Sequence, residues 1–353
     1  MTTFFLNRLA TEPHALAFAG QSTPWPVALA DQTTDPSLDE ALRGHVAAAG
    51  RLLTPVAADL LATTGRPVDL FGFAPNPARL GAAADATASV EGVALTQLGA
   101  LLDLEHLGYS VAQAKPLAVL GHSQGVLAVH MTRAIEAAGS IEAAGKTLNE
   151  ILAVAALIGA AGTRRVRELG LNPKYGEASP MLSVKGATRE QVEALVARVN
   201  NARGPISIAV TNSDNHHVLS GYPEDLAAFA LEAEREHQHQ AKLREQKLHG
   251  GTVFNPTLEY LEVTLPFHSP LMADAVEQTV AWAGACGFDQ KRTRALAEEV
   301  LLNHVDWNAR VKALFDDADP SKLWIVDLGP GNTLGKLIGN VVQGTGIRVV
   351  EAT

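Results

Sequence analysis

Apolar residues along the chain fall into short uninterrupted runs and longer stretches with helical spacing, and the two kinds alternate. Residues 15–19 (Ala-Leu-Ala-Phe-Ala) form a short apolar run closed by Gly20, which predicts a buried strand. Residues 38–64 and 91–108 are rich in alanine and leucine at helical spacing, the second stretch ending at Gly108. Pro116-Leu117-Ala118-Val119-Leu120 reads as a parallel strand running straight into Gly121-His122-Ser123-Gln124-Gly125, with a helix over 126–138 behind it. Another apolar helix covers 148–159 and continues into Arg164, Arg165 and Arg167.

The texture changes after Pro180. Residues 181–184 are strand-like, 188–200 form an amphipathic helix, and 206–210 and 217–220 read as strands around the turn Asn212-Ser213-Asp214-Asn215. A charged helix over 222–248 and a last strand over 259–265 complete the order of a small ferredoxin-like unit. A strand at 323–328, the turn Gly329-Pro330-Gly331 and a helix at 333–342 then resume the earlier alternation. The pattern predicts an α/β protein with an α/β-hydrolase-like body and a parallel sheet over 1–180 and 266–353. A ferredoxin-like α+β subdomain is inserted at 181–265.

Composition sharpens this picture by exclusion. The chain has 353 residues, 47% apolar and only 5% aromatic, which suits helices packed on a sheet better than an all-β sandwich. A formal net charge of −10 argues against nucleic-acid binding, which needs a basic face. No run of 18 uncharged apolar residues predicts a membrane span. Residues 1–8 lack a charged segment followed by an apolar one and read as cytoplasmic sequence. Cys286 is the single cysteine, so no internal disulfide or cysteine-built zinc site is expected, and its apolar surroundings predict a core side chain. No metal site is expected.

Gly121-His122-Ser123-Gln124-Gly125 matches G-x-S-x-G and has the strand before and helix after that the motif requires. Flanking glycines let the backbone turn sharply enough to lift the Ser123 hydroxyl clear of the sheet. The helix start behind it points free N–H groups at any oxyanion formed there. A serine nucleophile needs a base. Most of the twelve histidines lie on the charged helix or at turns, whereas His268 follows an apolar strand in Leu265-Pro266-Phe267-His268-Ser269-Pro270-Leu271-Met272.

These segments, with Asp327-Leu328-Gly329-Pro330-Gly331, resemble the ordered landmarks of the malonyl/acyl-CoA:acyl-carrier-protein transacylase family. Phe18-Ala19-Gly20-Gln21 resembles that family's N-terminal Gly-Gln motif, and Thr211-Asn212 with Val218-Leu219-Ser220-Gly221 its small-subdomain strand pair. Lys247-Leu248-His249-Gly250-Gly251-Thr252-Val253-Phe254 resembles in particular the N-terminal acetyltransferase domain of actinobacterial and fungal type I fatty acid synthases. The resemblance implies a Ser123 nucleophile with His268 as its base, a dyad in which a backbone carbonyl orients the histidine. The matching carbonyl falls at Val300, and Asn212 is expected to support the site. The backbone N–H groups of Gln21 and Gln124 would form the oxyanion hole. Two segments depart from the family: Gly20-Gln21-Ser22-Thr23-Pro24 stands for Gly-Gln-Gly-x-Gln, and Gly92-Val93-Ala94-Leu95 for Gln-Pro-Ala-Leu.

The resemblance also bears on the acyl group. Malonyl-selective members carry an arginine in an Arg-Gly pair, and the matching pair here is Ile158-Gly159. A buried carboxylate without its partner costs several kcal/mol, so malonyl should lose by roughly a thousandfold. Arg165 lies two turns further on and would have to reach back about 10 Å along the helix. Phe267 should exclude branched acyl groups by bulk. The expectation is an acetyltransferase with acetyl-CoA as substrate, no permanently bound cofactor, and acyl carrier protein and other fatty acid synthase domains as partners. Both substrates are anionic, so local positive charge is expected from Arg164, Arg165, Lys185, Lys242, Arg244 and Lys247. The alternatives are a malonyl-CoA transacylase and a serine thioesterase or esterase. A hydrolase would need an acid such as Asp214 or Glu262 for its histidine.

Overall fold

The apolar runs at 15–19, 116–120 and 323–328 meet side by side. The computed structural model describes residues 8–9, 11–65, 85–171, 178–200, 205–247, 253–317 and 319–351. Among these residues the strands are β1 (His14–Phe18), β2 (Ala118–Gly121), β3 (Met181–Lys185), β4 (Ser207–Ser213), β5 (His216–Ser220), β6 (Thr257–Tyr260), β7 (Val305–Asp306), β8 (Trp324–Asp327) and β9 (Arg348–Glu351). One sheet is parallel, in the order β2-β1-β8-β9. β1, inside this sheet, is buried at every residue, which is why its run carries no polar alternation.

The second sheet has the order β6-β3-β5-β4-β7. Its first four members pair antiparallel, and the chain order is strand, helix, strand, strand, helix, strand, the ferredoxin-like arrangement. β7, from outside residues 181–265, adds parallel to β4 through Val210 and Val305, so this sheet runs on into the body.

The helices that shape the site are α1 (Trp25–Gln32), α2 (Pro36–Leu52), α3 (Ala57–Thr64), α4 (Ala86–His106), α5 (Val126–Ala138) and α6 (Ile141–Glu168). The small sheet carries α7 (Arg189–Asn200) and α8 (Pro223–Glu245); α9 (Ala273–Ala285), α10 (Gln290–Leu301), α11 (Trp307–Lys312) and α12 (Thr333–Val342) follow. The helix expected over 38–64 is interrupted by a short 3₁₀ turn at Thr54–Val56, where Pro55 cannot supply an N–H. The helix expected over 148–159 starts earlier, at Ile141, because the Ser140 hydroxyl caps it by accepting from the Ala143 N–H. α6 is long and apolar enough to cross a membrane by composition, yet most of that stretch is buried in the body as a core helix. Cys286 is half-buried against the same core.

Two readings of the small sheet need correction. Asn212 and Ser213 belong to β4 and not to the turn, which shrinks to Asp214 and Asn215; an irregularity in the β4–β5 register absorbs the difference. The last strand spans Thr257–Tyr260, whereas Val263 and Leu265 dip into the body's core instead of continuing the sheet. Residues 248–252 of the acetyltransferase-like segment lie outside the described residues.

Candidate active site

β2 ends at Gly121, a 3₁₀ turn covers Ser123–Gly125, and α5 starts at Val126. The turn is tied to the sheet: the His122 N–H donates to the Phe18 carbonyl at 2.9 Å. Ser123 has φ +52°, a left-handed conformation that costs a non-glycine residue roughly 1–2 kcal/mol. Both flanking glycines are required. A side chain at Gly121 would collide with the Gly125 and Val126 backbone, and one at Gly125 with the Phe18 and Ala19 carbonyls.

The loop after Leu265 delivers His268, also left-handed at φ +55°. Its Nε2 lies 2.7 Å from Ser123 Oγ, and its Nδ1 lies 2.8 Å from the Asn303 carbonyl oxygen. A carbonyl only accepts, so Nδ1 carries the proton and Nε2 accepts from the Ser123 hydroxyl. Burial pushes the His268 pKa down to about 3, against the raising effect of the Asn303 bond and with help from the charges of His122, His304 and Arg310. The imidazole is therefore neutral at ordinary pH.

The orienting carbonyl is Asn303 and not Val300. Val300 is buried in the last turn of α10. Ser269, next to the histidine, donates its N–H to the Leu301 carbonyl at the helix end, which sets the imidazole beyond the helix and opposite Asn303. No side-chain signal could have marked Asn303, since only its backbone takes part.

Asn212 reaches the site from the small sheet: its Oδ1 lies 2.7 Å from His122 Nε2, which donates to it. His122 is stacked edge-on against Trp307 with centroids 5.2 Å apart. Its pKa is lowered by burial first and by the Arg310 charge last, despite the Asn212 bond. Arg310 donates to the Gly121 carbonyl at 3.0 Å. Asn212 Nδ2 lies 3.5 Å from His216 Nε2, which is 3.0 Å from Ser183 Oγ, so a polar chain joins the serine turn to the small sheet. His122 was readable in the G-x-S-x-G string; the parts of His216, Arg310 and Ser183 were not, because only the fold brings them near.

These groups border a cleft of about 1110 Å³ between the two sheets, lined by Gln21, Ser22, His122, Ser123, Asn212, His216 and Phe267 among others. The structure brings Gln21 and Gln124 together: their side chains are hydrogen-bonded, and Gly20 packs so closely on the serine that an added Cβ would lie 3.3 Å from the Gln124 nitrogen. Phe267 lies on the cleft wall. Ile158 does not line it; it is wholly buried in the middle of α6. Arg165 is held by the Leu271 carbonyl and Asp274, at 2.9 and 2.8 Å. Of the cations expected at the cleft only Lys185 lines it, paired with Glu259, and Lys336 of α12 lines it as well. Arg164 instead bonds Glu168 and Gln278, and Lys242 and Arg244 are exposed at the end of α8. Asp214 is bound by Lys312 and Asn308, so it does not serve His268. Among the described residues no group of three or more His, Cys, Asp or Glu side chains could hold a metal ion.

Comparison with known proteins follows the same lines. Residues 180–260 match a family described as the fatty acid synthase central AT domain. The chain is 27% identical over 270 residues to the fatty acid synthase beta subunit TOXC of Cochliobolus carbonum, covering 66% of this chain and 12% of that one. It is 28% identical over 214 residues to the fatty acid synthase subunit beta of Saccharomyces cerevisiae, covering 53% and 10%. The chain thus spans about an eighth or less of the length of these relatives. The solved malonyl CoA-acyl carrier protein transacylase of Coxiella burnetii has the same fold, with a TM-score of 0.65 at 16% identity over 96% of this chain and 94% of that one. Nearly the whole chain thus shares the fold of a solved malonyl CoA-acyl carrier protein transacylase, and its sequence is similar to the central acyltransferase domain and the beta subunits of fatty acid synthases.

Proposed function

We propose that the chain transfers a small acyl group from coenzyme A to the phosphopantetheine thiol of an acyl carrier protein through an ester on Ser123, within fatty acid synthesis. The observation that supports this best is the line Ser123 Oγ, His268 Nε2, His268 Nδ1, Asn303 carbonyl, at 2.7 and 2.8 Å. The Ser123 proton passes to Nε2 as Oγ attacks the thioester carbonyl. The tetrahedral oxyanion faces the Gln21 and Gln124 N–H groups, and the coenzyme A thiol leaves with the proton from Nε2. The carrier thiol then gives its proton to Nε2, attacks the ester and restores the serine. A hydrolase reading is disfavoured because a carbonyl, and no carboxylate, faces His268 Nδ1.

Acetyl is the acyl group proposed. Its support is that position 158, matched to the arginine of malonyl-selective members, holds a buried isoleucine off the cleft and so offers a carboxylate no partner, and that Arg165 is engaged elsewhere. Malonyl is the second reading, favoured by the activity named for the Coxiella burnetii protein of like fold. Incubation with radiolabelled acetyl-CoA should place label on the protein, lost in Ser123→Ala, and move it to carrier protein when that is added. Release of free acetate in quantity would instead indicate a hydrolase. Comparison of kcat/KM for acetyl- and malonyl-CoA decides between the two acyl groups.

A further inference from the structure

Residues 20–24 depart from the family motif, and their hydrogen bonds differ from those of the strand before them. Ala19 is held at both ends: its N–H donates to the Gly329 carbonyl at 3.0 Å, and its carbonyl accepts from Gln97 Nε2 at 2.6 Å. The next peptide, between Gly20 and Gln21, lies past the end of β1. Its carbonyl accepts from the Thr23 hydroxyl at 3.0 Å. Ser22, where the family motif has glycine, has φ +60°, and this left-handed residue curls the chain back so that Thr23 reaches Gly20.

A trans peptide is planar, with its C=O and N–H on opposite edges. Fixing the Gly20 carbonyl therefore fixes the direction of the Gln21 N–H. Gly20 is packed against the nucleophile, since a Cβ there would lie 2.9 Å from Ser123 Cβ. Glycine rotates with little steric resistance, so this peptide can turn over unless something holds it. The bond between the Gln21 and Gln124 side chains anchors the side chain and leaves the peptide plane free. We propose that Thr23 is a positioning residue: its hydroxyl holds the Gly20 carbonyl and so aims the Gln21 N–H at the oxyanion that forms on the Ser123 acyl group. This rests on the acyltransferase reading above.

Thr23→Val removes the hydroxyl at nearly constant shape, Thr23→Ala removes more, and Thr23→Ser keeps the hydroxyl. One oxyanion donor is worth about 10²–10³ in kcat, so a donor aimed correctly only part of the time should cost about 10- to 100-fold. Thr23→Val and Thr23→Ala should slow both acylation by acetyl-CoA and discharge to carrier protein by that factor, with KM within about twofold of the parent. Thr23→Ser should stay within about threefold. A threonine that only shapes the turn would lower the melting temperature and leave the rate per titrated active site unchanged, and that result overturns the proposal. So does a Thr23→Ser enzyme as slow as Thr23→Val. If Thr23→Val does not fold, Thr23→Ala against Thr23→Ser decides. If the parent takes no Ser123-dependent label from acetyl-CoA, the acyltransferase reading fails by itself. The Thr23 claim is then read from the rate at which a fluorophosphonate modifies Ser123, because its P=O group occupies the same donors, and the same ratios are expected.

Discussion

The pKa of His268 makes a rate prediction that a solvent-exposed histidine would not. Burial holds the group at about 3, far below its ordinary 6.5, so the form that can take the Ser123 proton persists well into acid. At pH 5 an imidazole with pKa about 6.5 is only about 3% neutral, whereas one near 3 is about 99% neutral. Activity is lost as pH falls through the pKa, because the protonated ring has no lone pair for the serine proton. Single-turnover acylation by radiolabelled acetyl-CoA should therefore stay within about twofold from pH 8 to pH 5, against the roughly 30-fold fall expected of an exposed histidine. His268→Ala supplies the baseline, about 10²- to 10⁴-fold slower at every pH. Bound label is counted after acid quench, with circular dichroism confirming that the enzyme is folded at each pH. A sigmoid centred between pH 6 and 7 in the parent and absent from His268→Ala would refute the assignment of a desolvated base.

Two further outcomes test the frame around the dyad. At Gly20 an added methyl would lie 2.7 Å from the His122 carbonyl and 2.9 Å from Ser123 Cβ, so Gly20→Ala must push the serine turn. We expect a stability loss of about 1–3 kcal/mol and acylation slowed by at least about tenfold, checked by denaturant unfolding and burst kinetics; parent-like values for both would contradict the close approach. His216 is lowered to about 4, by burial first and then by the Lys185 charge. Its folded pKa lies below the unfolded value, so stability is whole above about pH 6.5 and is lost as pH falls from there towards 4. Between pH 7.5 and 5.5 His216→Gln should lose about 1.4 kcal/mol less than the parent, and equal losses would mean His216 titrates normally.

The parts of the fold that were legible are those decided by local pattern. β1, β2 and β8 are predominantly apolar runs, with Asp327 only at the end of β8, because a buried parallel strand admits no polar alternation. β7 has two residues and β9 four at the sheet edge, too short to show a period, and their neighbours define them. Asn212 and Ser213 read as turn residues by propensity, yet pairing with β5 and the bond to His122 draw them into a strand. Arg164 and Arg165 were expected near the cleft because both substrates are anionic, but Glu168 on the same helix, Gln278, Asp274 and the Leu271 carbonyl hold them elsewhere.

At the site the division falls between side chains and backbone. Ser123 and His268 meet through their side chains, so the motifs that carry them exposed them. The groups that tune them are mostly peptide groups: the Asn303 carbonyl behind the imidazole, the Gly121 carbonyl that collects Arg310, and the Gly20 carbonyl held by Thr23. Any residue type can supply a carbonyl, so a one-dimensional pattern cannot register which one does. That is also why the offset from Val300 to Asn303 leaves the chemistry intact. A carbonyl dipole stabilises the imidazolium formed during transfer less than a carboxylate would, which keeps the resting histidine neutral in a dry site. In the proposed reaction the cost is a weaker base, and the Gln21 and Gln124 N–H groups proposed as oxyanion donors would offset it, since such donors act on charge that develops only in the transition state.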